Sequence, residues 1–144
     1  MQKLSPNPLD SMIYDKKIPI RIAFIKPDGT PNVISLWYMV ENEKIYCATQ
    51  KSAKIVSYLK NNPKCGFEIA ADKPPYRGVR GSGSVKIIEE NASETLEVLI
   101  KKYLGDKEST LSKFLRENSK SEVAIEITPD KLFNYDYSKR MKDA

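Results

Sequence analysis

Apolar and polar residues alternate along IPIRIAFIK, Ile18 to Lys26, with Ile20, Ile22 and Phe24 on one side and Arg21, Ala23 and Ile25 on the other. A period of two is the mark of a half-buried strand. PDGT, Pro27 to Thr30, has the chemistry of a tight turn, and NVISLWYMV, Asn32 to Val40, predicts the returning strand. ENEK turns the chain into IYCAT, Ile45 to Thr49, which completes a meander. From Ser52 the period lengthens. Ile55, Val56 and Leu59 fall on one helical face, Lys54, Ser57 and Lys60 elsewhere, and Asn61-Asn62-Pro63 stops the helix. CGFEIA, Cys65 to Ala70, predicts a fourth strand. DKPPY is a loop, and RGVRGSGSVKIIEE, Arg77 to Glu90, predicts a long strand with Gly78, Gly81 and Gly83 near its start. Glycines there mark bending or close approach of a ligand or backbone.

Asn91 with Glu94 predicts a capping box, followed by Leu96, Leu99, Ile100 and Tyr103 at helical spacing as far as Gly105. A second helical piece carries Leu111, Phe114 and Leu115. EVAIEI, Glu122 to Ile127, alternates, and after TPDK comes LFNYDY, Leu132 to Tyr137. Tight turns between the early strands exclude a parallel βαβ arrangement and predict a small closed or split antiparallel barrel of α+β class. A chain of 144 residues suits one domain, loose or helical at its start. Trp37 and Tyr38, adjacent on the predicted second strand, point to opposite faces. Phe133, Tyr135 and Tyr137 share one face, a stripe suited to a core or a subunit interface.

Composition narrows the chemistry. There is no histidine, which removes the Ser/His/Asp and Cys/His nucleophile systems and the usual neutral-pH general base. The carboxylates show no acid/base spacing, so reactivity points to a bound cofactor. Cys47 and Cys65 lie in apolar runs without metal-ligand spacing and read as buried hydrophobes. The net charge of +5 is spread along the chain, unlike the basic stripe of a nucleic-acid binder. No secretion-signal core and no membrane-length apolar run is present, so the sequence predicts a cytoplasmic protein away from membranes.

One junction stands out. TQKSAK, Thr49 to Lys54, places Thr49 and Ser52 hydroxyls and the Lys51 and Lys54 ammoniums where a strand passes into a helix amino terminus. Unpaired first-turn amides and the helix dipole favour an anion there, a phosphate ester in particular. A capping role for Ser52 beside solvated lysines is the plainer alternative. Arg77 and Arg80, beside the glycines, are further candidates for an anion.

The order of these motifs, over about Ile18 to Tyr137, resembles the pyridoxamine 5′-phosphate oxidase-related flavin-binding split barrels. The resemblance implies a six-stranded antiparallel split β-barrel with short flanking helices, forming a homodimer with FMN at the subunit interface. It implies that the flavin ring lies along NVISLW, with Asn32, Ile34, Ser35, Leu36 and Trp37 as contacts. Ala48 and Thr49 would close the third strand, and Lys51, Ser52 and Lys54 would hold the phosphate. RGVRGSG stands where the oxidase has R-Q-V-R-V-E-G, so Gly78 takes the place of a ring-touching glutamine. Tyr135 matches an aromatic that reaches the partner's flavin, and Ala53 replaces a phosphate-binding arginine. The oxidase's carboxy-terminal arginine and histidine have no counterpart here, which implies a relative of the vitamin B6 oxidase rather than that enzyme. The implied activity is electron or hydride transfer through FMN to a small molecule. Alternatives are a flavin store or sensor without turnover and a deazaflavin-dependent reductase; haem would want an axial histidine. A barrel binding RNA or single-stranded DNA is the competitor from another class.

Overall fold

The computed structural model describes residues 17–142, so the expected loose or helical start lies outside the described residues. Strands β1 (Ile20–Ile25) and β2 (Pro31–Leu36) form the first hairpin, and β3 (Met39–Glu41) and β4 (Lys44–Gln50) the second. Helix α1 (Lys54–Asn61) leads to β5 (Lys64–Ala70) and β6 (Arg77–Ile88). Helices α2 (Ala92–Leu104) and α3 (Thr110–Glu117) and a short 3₁₀ turn (Ser119–Ser121) precede β7 (Glu122–Asp136). All pairings are antiparallel, in the order β2-β1-β5-β6-β7-β4-β3.

That order makes the barrel. Seven strands laid flat would hold their outer members roughly 29 Å apart. Yet the two outer strands, β2 and β3, are consecutive in the chain, and Leu36 and Met39 can stand no more than about 11 Å apart. The sheet therefore curls until its edges meet, unpaired, on either side of Trp37–Tyr38. This is the split barrel of α+β class that the motif order implied.

It has seven strands, where the resemblance implied six, and two stretches are divided differently from the sequence pattern. The predicted single strand Asn32–Val40 breaks at Trp37–Tyr38, where α2 supplies what a neighbouring strand would. Tyr38 is fully buried; its N–H donates to Tyr103 Oη at 3.2 Å, and its carbonyl accepts from Lys102 Nζ at 2.7 Å. Trp37 stacks on Tyr103 with centroids 4.9 Å apart and planes 6° from parallel. Tyr103 Oη donates in turn to the Ile18 carbonyl at 2.8 Å, and burial pushes its phenol up to about 12. Tyr103→Phe is expected to cost about 1–2 kcal/mol, because it removes both the hydroxyl that accepts the Tyr38 amide and the donor to the Ile18 carbonyl. An unchanged urea midpoint would refute that.

Conversely, the two runs predicted either side of TPDK are one strand. β7 passes through this segment by a bulge: Ser82 faces Lys131 and Gly83 faces Pro129, leaving Asp130 over, and Ser82 Oγ donates to Asp130 Oδ1 at 2.9 Å. A bulge is also where a strand tolerates proline. The glycines of β6 answer to neighbouring backbone. A Cβ on Gly83 would lie 2.5 Å from the Thr128 carbonyl oxygen, and one on Gly81 2.2 Å from that of Lys131.

The predicted inner faces meet as one core. Ile20, Ile22 and Phe24 pack with Ile45, Cys47, Phe67, Ile69, Ile125 and Ile127, and α1 closes one end with Ile55, Val56 and Leu59. Burial holds both thiols protonated, Cys65 at about 12. Asn91 precedes α2 in a left-handed conformation without a side-chain cap, so the expected capping box is absent there; α3 has one, from Ser109 and Ser112. Helix α3 buries Ser112 and anchors through Arg116 to Glu97 at 2.8 Å, leaving Leu111 and Phe114 exposed. Among the described residues no helix is long and apolar enough to cross a membrane, and no cluster could hold a metal.

Candidate functional site

The junction between β4 and α1 is built to leave donors open. After Gln50 the chain turns, with the Lys51 amide donating to the Ser121 carbonyl at 2.7 Å and that of Ala53 to the Gln50 carbonyl at 3.0 Å. Ala53, not Ser52, occupies the N-cap position, in extended conformation and without a side-chain cap. The Val56 amide reaches back to the Ala53 carbonyl at 3.0 Å, whereas those of Lys54 and Ile55 have no acceptor within the helix. No acidic residue occupies the first turn.

In front of these amides lies a hollow of about 370 Å³ between β2, the end of β4 and α1. It gathers Asn32, Ile34, Thr49 and Lys54 from the residues singled out in the sequence. Lys26, Phe24 and Tyr58 join them. Tyr58 was findable, one helical turn beyond Lys54 and so on the same face; its ring stacks on Phe24 at 5.8 Å. Lys26 had no local signal. It arrives because the barrel folds the end of β1 toward α1.

The hollow opens onto the free edge of β2, which pairs only with β1. Asn32 Oδ1 accepts the Val33 amide at 2.8 Å, so that amide points to the open edge, and by the alternation of an antiparallel ladder so does that of Ser35. Ile34 and Leu36 turn inward onto the core, while the Ser35 hydroxyl takes a hydrogen bond from Arg21 on the outer face.

Other candidates lie elsewhere. Lys51 pairs with Glu89 at 3.1 Å, both well exposed, and this bond holds the Glu89 carboxyl below its usual range. Ser52 is exposed on the turn, and Ala48 sits opposite Ala124 within the sheet. Trp37 stacks against α2 and does not line the hollow. Gly78 pairs with Ala70 and Tyr135, and a Cβ there would come within 2.5 Å of the Ile69 carbonyl oxygen, so β5 leaves no room for a glutamine. Tyr135 donates to Glu68 Oε2 at 2.8 Å on the outer face. Burial, with this bond adding to it, pushes its phenol up to about 12.

Strand register arranges that outer face in rows. Ser35, Arg21, Glu68, Arg80 and Phe133 stand side by side across β2, β1, β5, β6 and β7. Parallel to this charged rib runs a floor of Val33, Ala23, Gly66, Ser82 and Lys131. The depression measures about 1000 Å³, and Val33 and Phe133 are each 59% exposed at its margins.

Solved structures share the architecture. An F420 reductase matches with a TM-score of 0.74 and 20% identity over 90% of this chain and 98% of its own. A conserved hypothetical protein from Mycobacterium tuberculosis matches with a TM-score of 0.74 and 20% identity, over 97% and 92% of the two chains. A FAD-binding protein from Mesorhizobium loti matches with a TM-score of 0.62 and 18% identity, over 91% and 94%. No curated protein sequence matches. At the level of sequence the profile described as pyridoxamine 5′-phosphate oxidase matches residues 14–136, nearly the whole barrel, and by that match the chain belongs to the pyridoxamine 5′-phosphate oxidase family.

Proposed function

We propose that this protein is an FMN-binding oxidoreductase acting on a small molecule as a homodimer. Support comes above all from one juxtaposition: the open amides of α1, Thr49, Lys54 and Lys26 face a hollow that runs onto the unpaired edge of β2. The donor set suits a phosphate monoester, with cations, a hydroxyl and helix amides converging. The free Ser35 amide and its neighbours along the edge suit the polar rim of an isoalloxazine ring. In this reading Lys54, Lys26 and Thr49 hold the phosphate, Asn32 and Ile34 border the ring, and Tyr58 closes the floor. When bound, FMN supplies hydride or electron transfer, chemistry that no side chain here offers. Lys51 is a weaker phosphate candidate, since Glu89 already engages it.

The second copy seats on the outer face. Its rib runs Arg21, Glu68, Arg80, and a two-fold axis passing between Arg21 and Glu68 sets each of these against its opposite charge on the second copy. The exposed Val33 and Phe133 supply the apolar contact. Such a seam also brings one chain's Tyr135 toward the other's β2 edge.

A deazaflavin is the second reading, favoured by the likeness to the F420 reductase. Mass spectrometry of ligand released from the purified protein separates the two, and titration with FMN is expected to quench flavin fluorescence saturably. Light scattering is expected to give a particle of two 16.4 kDa chains that Phe133→Asp splits, with loss of FMN affinity. A monomer binding FMN as tightly as the dimer refutes the seam; no saturable FMN binding refutes the cofactor.

A further inference from the structure

The backbone that follows β2 is held from outside the sheet. The ladder with β1 ends at the pair of Leu36 with Ile20, so neither Trp37 nor Tyr38 has a ladder partner, although the Ser35 amide just before them faces the open edge. An edge strand that ends in this way frays unless something pins it. The last turn of α2 supplies the pin. Lys102 Nζ donates to the Tyr38 carbonyl at 2.7 Å and lies 3.7 Å from the centroid of the Tyr38 ring and 5.0 Å from that of Tyr103. A cation this close to two ring faces is attracted by both. The Tyr103 hydroxyl accepts the Tyr38 amide at 3.2 Å, and the Tyr103 ring stacks on Trp37 at 4.9 Å. A lysine in the last turn of a helix commonly lends its charge to that helix's own open carbonyls. Lys101 of the same turn is exposed, whereas Lys102 is half-buried and reaches across to the crossing between β2 and β3.

We infer that Lys102 is a positioning residue for the flavin ring: by holding the Tyr38 carbonyl it fixes the end of β2, and with it the Ser35 amide offered to the ring. This deepens the flavin reading above and rests on it. Lys102 does not line the hollow beside α1, where Lys54, Lys26 and Thr49 are gathered by other elements. Its effect therefore falls on the ring and not on the phosphate. Without the ammonium, the crossing has to be ordered each time a ring binds, and fixing the backbone of a single residue is enough to change an affinity about tenfold.

Two fragments of the cofactor separate this role from damage to the fold. Riboflavin carries the ring without the phosphate, and inorganic phosphate carries the anion without the ring. Each is titrated into the full chain, riboflavin by its fluorescence and phosphate by the NMR shifts of the Thr49 and Lys54 amides. Lys102→Met keeps the aliphatic stem and removes the charge and the donor. It is expected to weaken riboflavin about tenfold and to leave phosphate within about twofold. Lys54→Ala is expected to do the reverse, weakening phosphate and sparing riboflavin. Unchanged riboflavin affinity in Lys102→Met, or a loss shared equally by phosphate, overturns the inference. Where that variant does not fold, Tyr103→Phe, which removes the acceptor of the Tyr38 amide at the same crossing, decides by the same two titrations. These results leave FMN binding by the parent chain intact and so spare the cofactor, whereas a parent chain that binds neither FMN nor riboflavin removes both readings.

Discussion

Gly81→Val is expected to destabilise the chain strongly and to lower its urea midpoint. The first atom of any side chain at this position would lie 2.2 Å from the Lys131 carbonyl oxygen and 2.9 Å from Phe67 Cζ. One obstacle is the backbone of β7 and the other a core ring, so neither can yield without moving a strand. Overpacking of this severity costs about 3 kcal/mol or more, against a total stability of about 5–15 kcal/mol for an ordinary domain. Gly66→Ala is the control: its added carbon would meet nothing nearer than the Gly81 carbonyl oxygen at 3.6 Å, and its stability should stay close to that of the parent. Urea unfolding followed by circular dichroism reads both. A Gly81→Val midpoint near the parent's would show that β6 and β7 are not in the close contact described.

Lys54→Glu is expected to weaken FMN binding about a hundredfold, and Lys54→Ala about tenfold. The alanine variant removes one charge-assisted contact, worth about 1.5 kcal/mol, and the glutamate adds repulsion at a helix terminus with positive potential. Lys51→Ala should change affinity by no more than about twofold, since its ammonium sits with Glu89 on the surface, where such pairs are weak. Fluorescence titration reads all three. Equal losses at Lys51 and Lys54 would mean that the anion rests on the turn rather than in the hollow, and an unaffected Lys54→Glu would move it elsewhere altogether.

Within the site, the sequence and the folded chain contribute at different scales. Thr49 and Lys54 were legible because both belong to one local junction, where a strand's period gives way to a helix's. Asn32 and Ile34 were reached through motif order. Lys26 was not legible, because it enters from β1, and only closure of the barrel carries it there. For Trp37 a strand pattern reads through Trp37–Tyr38, but Tyr103 and Lys102, more than sixty positions later, engage the backbone and the indole. That Gly78 has no room for a side chain appears only when β5 is packed against it.

By itself the sequence determined where the chain extends, where it coils and which faces turn inward, because alternation, helical period and turn chemistry act between residues a few positions apart. It also determined the absence of histidine chemistry. Only the tertiary structure decided that the outer strands meet at a two-residue crossing, that β7 runs unbroken past Asp130, and that α3 shows its apolar side to the surface. Those outcomes depend on which distant segments compete for the same backbone groups and the same buried volume, and that competition is resolved only when the sheet has curled.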